Sequence, residues 1–165
     1  MRFLFSIFII FSLLVAVQCG KGEQHQAERK SFLQKKNNTC GAACAAFFLS
    51  HRSITTDETA IEGAFPVTTP EGYSMFDVIR ILSHFGIAAE GVKCSPRQMP
   101  HIDVPFIILL EPENHFVVVV RSTPDSVEYF DPVKDMTKCD MESFSRNHAM
   151  VKIVQPIADD RSKQQ

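Results

Sequence analysis

The sequence predicts an α+β fold, with N-terminal helices packed on a C-terminal antiparallel β-sheet. Three observations carry this. Residues 40–85 hold three segments with helical patterning or helix-cap signals. Residues 87–157 hold short runs rich in Val, Ile and Phe, separated by turn residues. The two kinds of segment follow one another rather than alternating, which argues against a parallel βαβ sheet. At 165 residues the chain has the size of one domain, and 45% hydrophobic with 22% charged residues is an ordinary globular balance. Fourteen Phe supply the aromatic mass of a core that contains no Trp. There is no internal repeat and no low-complexity tract.

The first segment, "MRFLFSIFIIFSLLVAVQC" (1–19), reads as a secretory signal peptide. Arg2 supplies the positive start, and Phe3–Val17 is apolar apart from Ser6 and Ser12. The run is shorter than the roughly 20 apolar residues that a spanning helix requires. A membrane anchor and a lipoprotein signal with Cys19 as the lipidated residue are the competing readings. Against the second, Gln18 stands where a small residue is expected. The expected location is therefore exported, periplasmic or secreted, with membrane association only if the N-terminus is retained or lipidated. Loss of Arg2 with the signal takes the formal charge from -2 to about -3. No Lys/Arg stripe runs along the chain, so nucleic acid is not an expected partner. Residues 20–31 form a polar linker, 32–158 the domain, and 159–165 a polar tail.

Within the domain, "CGAACAAFFLS" (40–50) reads as a buried helix, with Thr39 or Asn38 as its cap. "TTDETAIEGAF" (55–65) is a second helix, with Thr55 and Glu58 at capping-box spacing. "SMFDVIRILSHF" (74–85) is a third. Met75, Val78, Ile79, Leu82 and Phe85 follow its period, Ser74 caps it and Gly86 stops it. "IAAEGVKC" (87–94) is a weak strand, "PFIILLE" (105–111) a strong one, and "HFVVVVR" (115–121) a strand buried on both faces. "STPDS" (122–126) is a turn, "VEYFDP" (127–132) the returning strand, and "MVKIVQPI" (150–157) the last strand.

Chemistry concentrates at "QKKNNTCGAAC" (34–44). Cys40 falls at the first turn of a helix, where unpaired N–H groups and the helix dipole favour a thiolate. A nucleophilic Cys needs a base and a group to orient that base. The hairpin supplies both. His115 opens one strand and Asp131 closes its partner. A regular turn centred near Thr123–Pro124 puts the two directly opposite or one register step apart, and directly opposed side chains share a face at roughly 4.5–5.5 Å between Cβ atoms. Gln34 is the candidate oxyanion donor, together with the Cys40 backbone N–H. Gly41 keeps the approach to the sulfur open.

"Q-x5-C-G-x-A" at Gln34–Ala43, "NHFVVV" at Asn114–Val119 and "FDP" at Phe130–Pro132 resemble the bacteriocin-processing cysteine peptidase family. "EGYSMFDVIRILSHFGIAAEGVK" and "VPFIILLEPENHF" fit the same pattern, and the resemblance covers about residues 32–155. It implies a papain-like fold, with Cys40 as nucleophile, His115 as general base and acid, Asp131 as its orienter and Gln34 in the oxyanion hole. It implies a cysteine-type peptidase that hydrolyses peptide bonds through a thioester, needs no metal or organic cofactor and takes a polypeptide substrate. The family's best-known members are fused to ABC transporters and cut leader peptides after a Gly-Gly pair. Here the expectation is a monomeric, exported peptidase domain without ATP binding in the chain, so the fold and the catalytic set carry over better than the substrate.

Two other functions remain open from sequence: a peptide-binding module of the same fold that does not cut, and a related acyl-transfer enzyme. Cys40 could be a plain core thiol, but Gln34, His115 and Asp131 at matching positions favour the nucleophile. Cys44, one turn further and beside Ala and Phe, reads as core. A Cys40/Cys44 metal site lacks a nearby His pair. A disulfide between them does not suit helical geometry, which leaves Cys94–Cys139 as the candidate structural pair. Asp131 before Pro132 could be only a turn-former. His51, His84, His101 and His148 read as surface or loop residues. "NNT" at Asn37–Thr39 matches a glycosylation acceptor, but a sugar beside the nucleophile would obstruct it.

Overall fold

A computed structural model describes residue 29, residues 31–111 and residues 113–157. The account below concerns the unit that begins at Phe32. The expected signal peptide and C-terminal tail lie outside the described residues.

Helices α1 (Cys40–Ser50), α2 (Glu58–Ala64) and α3 (Met75–His84) come first. Strand β1 (Ala89–Cys94) and a 3₁₀ turn (Pro96–His101) follow. Then come β2 (Phe106–Leu110), β3 (His115–Ser122), β4 (Ser126–Asp131), β5 (Asp135–Asp140), α4 (Met141–Asn147) and β6 (Val151–Pro156). All six strands form one sheet in the order β1-β6-β2-β3-β4-β5, antiparallel at every pairing. This is the expected α+β arrangement.

The central strands are buried on both faces, and their alternation sorts the core into two layers. Ile107, Leu109, Phe116, Val118, Phe130 and Val154 pack against the helices α1, α2 and α3. Phe106, Ile108, Val117, Val119, Val127 and Ile153 pack on the other side, with Met99, Met141 and Phe144. That second layer, made by the 3₁₀ turn and α4, was not foreseen from the sequence, and neither was β5. Strand β5, "DMTKCD", is a polar edge strand with little apolar alternation to betray it.

Helix α1 is apolar all round because it is enclosed all round: every residue from Cys40 to Leu49 is buried. Thr39 occupies its N-cap position without capping it, since its hydroxyl donates to the Lys36 carbonyl at 2.7 Å instead. Helix α2 starts later than expected. Asp57, not Thr55, caps it, accepting from the Ala60 N–H at 2.8 Å. Ser74 and Asp77 form a full capping box on α3, and Gly86, at φ +79°, closes it.

The candidate disulfide is absent: Cys94 and Cys139 are both free thiols. The reason is topological. Cys94 lies on β1 and Cys139 on β5, the two opposite edges of the six-stranded sheet. Five inter-strand steps separate them, on the order of 24 Å, far beyond the reach of a disulfide.

The hairpin register also differs from the expected one. Val118 pairs with Phe130 and Val119 with Tyr129, but Arg121 pairs with Glu128 and Ser122 with Val127. Val120 is therefore a bulge, and the turn is Thr123–Ser126, closed by the Thr123 N–H to the Ser126 carbonyl at 2.9 Å. Of the two expected placements the structure has the offset one: His115 and Asp131 are diagonal neighbours, two positions out of register. The bulge is what puts them on one face. Continued without it, the register of Ser122 and Val127 would send the two side chains to opposite faces.

Candidate active site

Three pieces of chain meet at the N-terminal end of α1. Cys40 is the first residue of that helix and is 8% exposed. No acidic side chain sits in the first turn, so the positive end of the helix dipole is not neutralised there. His115 is the first residue of β3 and Asp131 the last residue of β4.

His115 Nε2 lies 2.9 Å from Asp131 Oδ1. A carboxylate accepts only, so Nε2 carries the proton. Cys40 is, after Asp131, the second group whose proximity raises the imidazole. The bond to Asp131, and then the nearby Cys40 thiol, push His115 up to about 9, against burial, which lowers it.

Asp131 is 3% exposed. Burial alone would raise its carboxyl. The His115 bond, the Val133 N–H at 2.8 Å on Oδ1 and the Lys134 ammonium 3.8 Å from Oδ2 outweigh this, and the net shift is downward. Lys134 is largely exposed, so its share is small.

Gln34 lies on the loop before α1. Its backbone N–H donates to the Pro132 carbonyl at 2.9 Å, which ties it beside Asp131. Its side-chain Oε1 is buried and has no hydrogen-bond partner. The next residue is anchored from α2. Buried Glu58 accepts the Lys35 N–H with both carboxylate oxygens, at 3.1 and 2.8 Å. The sequence suggested only a capping role for Glu58. Cys44 is a core residue, as expected. It is fully buried, its thiol donates to the Phe116 carbonyl at 3.1 Å, and burial holds its pKa well above the ordinary thiol value. Among the described residues no cluster of His, Cys, Asp or Glu is arranged to hold a metal ion, and no helix is long and apolar enough to cross a membrane.

The shifts of the pair predict a pH dependence of stability. The raised His115 contributes stability that is complete below its ordinary value of 6.5 and is lost as pH rises through about 9. The lowered Asp131 contributes stability that is present above 3.8 and is lost as pH falls through its folded value. Urea unfolding from pH 3 to 10 should show stability falling between about 6.5 and 9, and His115→Gln should flatten that limb. An unchanged limb in the variant would assign the loss to another group.

A cysteine at a helix start, beside an imidazole–carboxylate pair at the end of a sheet, is the arrangement of papain-like cysteine peptidases, and the fold is of that class. More narrowly, the chain belongs to the Peptidase C39 family, which it matches over residues 28–157. Among its relatives is the probable functional amyloid protease FapD of Pseudomonas fluorescens. The two are 30% identical over 120 residues, covering 67% of this chain and 53% of FapD. FapD of Pseudomonas aeruginosa is 28% identical over 122 residues, covering 68% and 54%. The chain thus spans about half the length of the curated relatives it matches. Among solved structures, a double glycine motif protease from an AMS/PCAT transporter, in complex with the leader peptide, matches with a TM-score of 0.66. Its sequence identity is 24%, and the match covers 76% of this chain and 89% of that one. The peptidase domain of Streptococcus ComA, a bi-functional ABC transporter involved in a quorum sensing pathway, matches with a TM-score of 0.63 at 17% identity, covering 75% and 96%. At these identities the structural likeness establishes the fold.

Proposed function

We propose that the protein is an exported peptidase that cuts a polypeptide of the exported class by a Cys-His-Asp mechanism. The observation that carries this reading is the 2.9 Å bond between His115 and Asp131 in a fold that starts the buried helix α1 at Cys40. The Cys40 thiolate attacks the scissile carbonyl carbon, and the carbonyl π electrons move to oxygen. The Cys40 backbone N–H and the Gln34 side-chain amide hold the resulting oxyanion. As the oxyanion collapses, the C–N bond breaks and the His115 imidazolium gives its proton to the leaving amine, which leaves a thioester on Cys40. His115, now neutral, takes a proton from water as the oxygen attacks the thioester carbonyl. Collapse then releases the acid product and regenerates the thiolate. Asp131 holds the ring in the tautomer that serves both steps. The names of the two Pseudomonas relatives support a substrate drawn from a functional-amyloid system. The export reading rests on the N-terminal segment.

The test is the rate of iodoacetamide labelling at each thiol from pH 4 to 9, read by mass spectrometry. Cys40 should label fast at acidic pH, and His115→Ala should abolish this acidic limb. If wild-type Cys40 labels only near the ordinary thiol value of about 8.5, no thiolate–imidazolium pair exists and the mechanism fails.

A further inference from the structure

Cys40 and His115 belong to different parts of the fold, one at a helix start and the other at a strand start. The residues just ahead of them are alike in an unexpected way. Asn38, two positions before Cys40, has φ 69°, and Asn114, immediately before His115, has φ 51°. Both are in the left-handed region, which Asn tolerates better than most residues. Both spend their side-chain amides on the same short turn. Asn38 Nδ2 donates to the Pro70 carbonyl, and Asn114 Nδ2 donates to the Glu71 carbonyl at 3.0 Å.

That turn is stiff. The Gly72 N–H donates to the Thr69 carbonyl at 3.1 Å, and the Thr69 hydroxyl donates to the Gly72 carbonyl at 3.1 Å. Pro70 follows Thr69, at the position of a turn where its fixed φ fits. The two carbonyls between the closing bonds each take one of the Asn amides. The turn is also packed tightly on the nucleophile's side. Gly72 has φ +88°, and a Cβ there would lie 2.6 Å from the Asn38 carbonyl oxygen. A Cβ on Gly41, next to Cys40, would lie 2.7 Å from Tyr73 Cβ. Tyr73 is in turn fixed by its hydroxyl, which donates to the Phe65 carbonyl at 2.6 Å.

We propose that Asn38 and Asn114 are positioning residues that act through the Thr69–Gly72 turn, which serves as a strut setting the separation of Cys40 and His115. Neither side chain is assigned any contact with substrate. Each holds its neighbour by a left-handed backbone and an amide anchored to one rigid element. This rests on the Cys40–His115 pairing proposed above.

The experiment is the same alkylation profile, applied to Asn38→Gly, Asn114→Gly and the double variant. Glycine keeps the left-handed backbone and removes only the anchor. Each single variant should move the acidic limb of Cys40 labelling at least about tenfold in proton concentration toward that of an ordinary thiol. Because both anchors load one strut, the double variant should move it no further than the singles. Gly72→Ala, which pushes the turn off Asn38 while leaving both amides in place, should reproduce the shift. Buried Cys44 reports folding in the same spectra, since it should stay unlabelled throughout. An unmoved limb in the single variants, or additive shifts in the double variant, overturns the strut. Absence of the acidic limb in the wild type instead overturns the catalytic pair, so the two failures are distinguishable.

Discussion

Cys40→Ala is expected to lower kcat/KM on a cleavable polypeptide by at least about 10⁴-fold while leaving the melting temperature within about 2 °C. The activity loss follows from removing the only atom in the proposed mechanism that bonds to substrate. The small effect on stability follows from the site. Cys40 is nearly buried at the start of a helix already rich in alanine, Ala is the best helix former, and the sulfur is a single heavy atom. Steady-state kinetics and a thermal melt on the same preparation check both halves. Activity above about one hundredth of wild type would show that another group is the nucleophile.

Phe48→Ala should do the reverse. Phe48 lies on the same helix, is fully buried among the residues that join α1 to the sheet, and has the Arg52 guanidinium 5.5 Å from its ring centre. Truncating such a ring costs about 3–5 kcal/mol, a large share of the 5–15 kcal/mol that typically holds a domain. The melting temperature should fall by about 10–15 °C. Below its own transition the variant should still label Cys40 at acidic pH, because nothing at the sulfur has changed. A drop of only about 2 °C would mean that the α1 layer repacks around the lost ring.

The site was more legible in the sequence than the scaffold around it. Gln34, Cys40, His115 and Asp131 stand out because each needs a particular residue type at a particular place, and the structure brings them to one end of the sheet. The scaffold errors have physical causes. A single extra residue at Val120 moves the register, and bulges leave no mark in apolar periodicity. Thr55 and Asp57 both fit a cap, and only packing decides between them. The pairing of Cys94 with Cys139 could not survive the strand order, because β6 enters the sheet between β1 and β2 and spreads the edges apart. The anchoring of Asn38 and Asn114 was not legible because it depends on a turn more than 30 residues from either. The tolerance of Asn for left-handed backbone was the signal that could have found them.

The position of β6 also bears on timing. Strand β6, which follows all the others described in the sheet, is not at a margin but between β1 and β2, and it supplies Val154 to one core layer and Val151 and Ile153 to the other. A ribosome delivers residues 151–156 after every element that carries the site. Until then β1 has no partner, β2 lacks a neighbour on one side, and neither apolar layer is closed. Both apolar layers therefore close only once residues 151–156 are in place, so the two halves of the core are completed together by one strand.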